Sequence, residues 1–117
     1  MKPALLLLSA LLLSSPALAS EKRILRIDGL IASQKGGTIQ LKARGAVPTG
    51  GWSHPRLHVL HNDGKVMTVE FLATPPPPDM TVIDAVVPLS ARAEIKGRAA
   101  SVHLVGEQNE VTSEVLR

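Results

Sequence analysis

Four histidines are present, and three of them, His54, His58 and His61, sit at i, i+4 and i+7. On a helix that spacing lines one face, and three imidazoles there can share a zinc or copper ion. On a strand it fails, because at roughly 3.3 Å per residue His54 and His58 stand about 13 Å apart and His61 faces the other way. Met67 and Met80 add thioethers that suit copper, with no spacing that joins them to the imidazoles. Ser53, Ser90, Ser101 and Ser113 lie outside any G-x-S-x-G elbow. Asp28, Asp63, Asp79 and Asp84 are scattered among turns and outward positions, so no glycosidase-like carboxylate pair can be read from them. With no cysteine in the chain, thiol catalysis and thiolate metal sites are excluded. The expectation is a protein that is not an enzyme and holds no cofactor.

The elements that place these residues turn on one stretch, Gly45-Ala46-Val47-Pro48-Thr49-Gly50-Gly51-Trp52-Ser53-His54-Pro55-Arg56-Leu57. It holds the only tryptophan and joins two apolar-alternating segments. Thr49, Gly50, Gly51, Trp52, Ser53 and His54 are the candidate binding residues, as an aromatic on a Gly-Gly loop is a common anchor. The competing role for Trp52 is a core plug, since Phe71 is the only other aromatic.

Residues 1–19 read as a secretory signal peptide. Lys2 supplies the charged start, an apolar run of about ten residues is too short to span roughly 30 Å of hydrocarbon, and Pro16-Ala17-Leu18-Ala19 offers a cleavage site. Residues 20–117 then form one domain, expected to be periplasmic or secreted. No span is expected after cleavage. Setting Lys2 aside leaves 12 Lys/Arg against 10 Asp/Glu. The positives are scattered along the sequence, and two aromatics make no stacking platform, so nucleic acid is not an expected partner. Another protein is, with the chain a monomer or weak oligomer.

Period-two alternation dominates the rest. Leu25, Ile27, Gly29 and Ile31 are expected to face inward, as are Ile39, Leu41 and Ala43. Residues 56–61 fit a strand, preferred here, or a short helix starting at Ser53. Asn62-Asp63-Gly64 is expected to close a hairpin that pairs Val59 with Met67 and Leu57 with Val69, with Gly64 in the left-handed region. Pro75 to Pro78 form a polyproline connection. Ile83, Ala85, Val87, Leu89, Ala91, Ala93 and Ile95 make one apolar face, with Pro88 at a break, an edge or a bulge. Strands around 102–105 and 111–116 bring the count to seven or eight. The expected fold is all-β, an antiparallel two-layer sandwich of immunoglobulin-like topology.

Gly50-Gly51-Trp52-Ser53-His54-Pro55-Arg56-Leu57, Asp63-Gly64, Glu70-Phe71 and Pro75 to Pro78 together resemble a group of small signal-bearing bacterial proteins. Their pattern is Gly-Gly-aromatic-x-x-Pro-x-Leu, a DG turn, a strand with Phe and a Pro-rich loop. That resemblance implies a fold and no activity. Val47-Pro48-Thr49-Gly50-Gly51-Trp52 is also similar to the Asn-Pro-Thr-Thr-Gly-Tyr loop of chagasin-type cysteine-protease inhibitors, small immunoglobulin-like domains. The Asn, the second Thr and a later Arg-Pro-Trp element are absent here.

Overall fold

A computed structural model describes residues 20–117; the signal-peptide reading concerns residues 1–19 and lies outside them. The described chain is all-β. Its strands are β1 (Lys22–Arg23), β2 (Arg26–Lys35), β3 (Thr38–Val47), β4 (Ser53–Asn62), β5 (Val66–Thr74), β6 (Val87–Lys96), β7 (Ser101–Val105) and β8 (Glu110–Leu116). They hydrogen-bond in the order β1-β5-β7-β8-β2-β3-β6, with β4 on β5, as one curled, half-barrel-like sheet.

The expected antiparallel sandwich needs correcting in its pairing. β5 and β7 run parallel, as do β2 and β8, so the sheet is mixed. Both parallel ladders join segments far apart in sequence, where no turn announces the partner. The free edges are β4 and β6. Each carries a proline, Pro55 or Pro88, and a surface cation, Arg56 or Arg92, both of which discourage another strand from adding on.

β3 alternates as its sequence requires. Ile39, Leu41 and Ala43 are buried, and Thr38, Gln40, Lys42 and Arg44 point out. β2 begins in phase, with Ile27 buried, and then a bulge at Asp28 inserts one residue between the Ile27 and Gly29 pairings. One extra residue exchanges the two faces. Leu30 and Ala32 therefore turn inward, and Ile31, expected in the core, is 58% exposed.

β4 is a strand, as preferred, and its hairpin register is two residues away from the expected one. Val59 pairs with Val69 and Leu57 with Phe71, because the hairpin closes at Asn62 and Met67 and Leu60 is bulged. A shift of two preserves the faces, so Leu57 and Val59 still pack on the core. Gly64 has φ 91°, Asp63 accepts from the Lys65 and Val66 N–H groups, and Asn62 accepts from that of Gly64.

β6 keeps Val87, Leu89, Ala91, Ala93 and Ile95 against the core, and Pro88 sits on its edge without breaking it. The expected apolar face does not extend back to Ile83 and Ala85. Residues 79–86 form no strand, and both are exposed.

The core is aliphatic around Phe71, with Ile24, Ile39, Leu41, Met67, Val69, Val102 and Leu104 fully buried. No polar or charged side chain is buried among the described residues. Gly45 lets the β1–β2 corner approach, since a Cβ there would lie 2.3 Å from Ile24 Cδ1 and 2.4 Å from the Arg26 carbonyl oxygen.

Candidate interaction surface

β3 stops at Val47 and β4 starts at Ser53, so the intervening residues leave the sheet at Pro48. Thr49 Oγ1 donates to the Gly50 carbonyl at 2.9 Å, and the Gly50 N–H donates to the Ile83 carbonyl at 3.0 Å. Gly51, at φ 86°, is pressed against the other loop. A Cβ there would sit 2.8 Å from Val82 Cγ1, 2.9 Å from Pro76 Cβ and 3.1 Å from Met80 Sδ. Residues 48–52 and 75–86 are thus seamed into one end of the fold.

Trp52 is half-buried and packs on the core. Its Nε1 is buried without a hydrogen-bond partner. The plug role therefore describes it better than the exposed-anchor role. The exposed apolar side chains come from the neighbouring loop instead: Ile83 is 71% exposed, Val86 51% and Met80 48%. The sequence assigns Ile83 to a strand face and so misses it. The usable signal is the proline run, which withdraws the following residues from any ladder.

Of the other candidate residues, Thr49 and Gly50 are half-buried, and Gly51, Ser53 and His54 are exposed. His54 has φ 52° at a bulge between the Ser53 and Arg56 pairings, and its Nδ1 lies 3.0 Å from Ser53 Oγ. His58 Nδ1 lies 3.0 Å from Glu70 Oε2, and Glu70 also accepts from Arg23 Nε at 3.1 Å. The Leu60 bulge sets His61 opposite Thr68, on the same outer face as His58, which corrects the expected opposite facing. Among the described residues no three His, Cys, Asp or Glu side chains are grouped to hold a metal ion.

The fourth histidine, His103, lies 2.8 Å from both Glu110 Oε1 and Thr112 Oγ1. The His58 hydrogen bond, then Arg23, keeps the Glu70 carboxyl below the usual range, and Arg56 does the same for Glu21.

The other outer face, on β2, β3 and β6, is electrostatically different. Lys35, Lys42, Arg44, Arg92 and Lys96 are scattered in sequence and gathered here by register. Among the described residues none of these five belongs to an ion pair. Compared with models of known protein families, with curated proteins and with solved structures, the chain matches none.

Proposed function

We propose that this chain is an exported binding module, without catalytic activity of its own, that engages a protein partner through the joined loops 48–54 and 75–86. The observation that carries this reading is the exposure of Met80, Ile83 and Val86 on a segment fixed to Gly50 and Gly51. Large apolar side chains exposed along one non-strand segment are the kind of surface that partners desolvate. Thr49, Ser53 and His54 supply a polar rim, and Trp52 braces the loop from beneath. Such a module works as a monomer or weak oligomer in the periplasm or outside the cell.

Kinship with immunoglobulin-like sandwiches, whose end loops carry binding, belongs to the same reading. The clustered loops support it, and the two parallel ladders count against its fully antiparallel form.

The test is affinity capture from an envelope extract with wild type and with an Ile83→Ser/Val86→Ser variant. A discrete partner kept by the first and lost by the second supports the reading, and equal retention sinks it. A papain-type protease is the partner implied by the inhibitor resemblance, because residues 48–52 do join two strands. That version ranks second, since Trp52 packs inward rather than projecting. Absence of papain inhibition at micromolar protein removes it.

A further inference from the structure

We propose that the outer face of β2, β3 and β6 docks on an anionic lipid bilayer, independently of the loop surface. Register arranges this face as rows across three strands: Gly29-Arg44-Ser90, Ile31-Lys42-Arg92, Ser33-Gln40-Glu94 and Lys35-Thr38-Lys96. Five cations outside any ion pair stand in it; its acids are Glu94, which accepts from Gln40 Nε2 at 3.4 Å, and Asp28 at the bulge, which accepts from Arg26 Nε at 2.8 Å. Glu114 and Leu116 on β8 flank the margin beside Ile31 and Ser33.

Lys42 and Arg92 are directly opposed, and like charges in that position repel. No carboxylate among the described residues pairs with either. Gly29 has no side chain to occupy its place in the grid, and the Arg44 guanidinium lies over it. An anionic surface laid on this face would relieve the repulsion between them.

The shape and chemistry select the source of those anions. The cations project from one sheet face, and Ile31 and Leu116, 58% and 59% exposed, put aliphatic side chains among them. Headgroup phosphates meet the cations while the aliphatic groups meet the acyl boundary. No aromatic residue stands on this face to stack on bases or sugars.

The test uses the protein comprising residues 20–117 in sedimentation with vesicles of phosphatidylcholine alone or with about one-third phosphatidylglycerol. Wild type is expected to bind only the anionic vesicles and to be released by high salt. Arg92→Glu places opposite charges across β3 and β6, so it does not endanger the fold. It exchanges one favourable charge for an unfavourable one and lowers partitioning roughly 25-fold. Lys65→Glu, the same charge change on the β4–β5 hairpin, leaves binding within about threefold. No binding to anionic vesicles, binding unchanged in Arg92→Glu, or tighter binding to a short DNA duplex than to the vesicles overturns the proposal.

Discussion

His58 on β4 and Glu70 on β5 are directly opposed, with Nδ1 and Oε2 3.0 Å apart. Because Arg23 reaches Glu70 from the other flank, this carboxylate stands between two donors and is 16% exposed. Its folded pKa is depressed, so its stabilising contribution is full above the ordinary glutamate value, about 4.3. The contribution is lost as pH falls through the lower folded value. Glu70→Gln is therefore expected to cost about 1 kcal/mol at pH 7 and nothing well below pH 4. Urea titrations at both pH values read this directly.

Gly51 and Gly64 both have positive φ, and their surroundings differ. Nothing lies within 4 Å of a Cβ at Gly64, whereas one at Gly51 meets Val82, Pro76 and Met80. Gly64→Ala should cost about 1 kcal/mol, the backbone term alone. Gly51→Ala should cost about 2–3 kcal/mol and open the seam between the loops. Thermal melts give the order, and amide exchange at Gly50 reports the seam.

Gly45→Ala tests the β1–β2 corner. The methyl meets Ile24 and the Arg26 backbone oxygen, and backbone cannot step aside as a side chain tip does. The expected loss is about 3 kcal/mol, near the upper end for overpacking. A loss under about 1 kcal/mol places the corner incorrectly.

Trp52 combines a buried, unpartnered Nε1 with an indole packed on the core. Trp52→Phe removes the unsatisfied donor and keeps most of the apolar contact, so stability should stay within about 1 kcal/mol of wild type. Trp52→Ala loses the packing and should cost about 3 kcal/mol. Weak acrylamide quenching of native fluorescence is the companion observation.

Arg92→Glu should raise stability by about 0.5 kcal/mol at low salt, since it converts a repulsive cross-strand pair with Lys42 into an attractive one. The gain should shrink in concentrated salt.

β3 was readable because nothing interrupts its alternation from Ile39 to Ala43. β2 misled after Ile27, because a bulge at Asp28 leaves no mark in a hydrophobic pattern and yet exchanges Ile31 with Leu30 and Ala32. The β4–β5 hairpin shows the opposite case, a register off by two that still places Leu57 and Val59 correctly. Parity survives even shifts and fails at odd ones. Trp52 stood out by type, but of the exposed side chains on the neighbouring loop Ile83 was hidden at the head of a continuous odd-numbered apolar run, and Met80 and Val86, outside that run, carried no pattern of their own. The cationic face was invisible for another reason. Lys42 and Arg92 lie fifty positions apart in sequence, and only the β3–β6 ladder sets them side by side.

The most direct test of the loop surface is a photoreactive side chain introduced at position 83 of the chain, with Lys65 as a control position. Irradiation in living cells should yield a discrete heavier adduct from position 83 and none from position 65. No adduct at position 83, or the same adduct from both positions, contradicts the account.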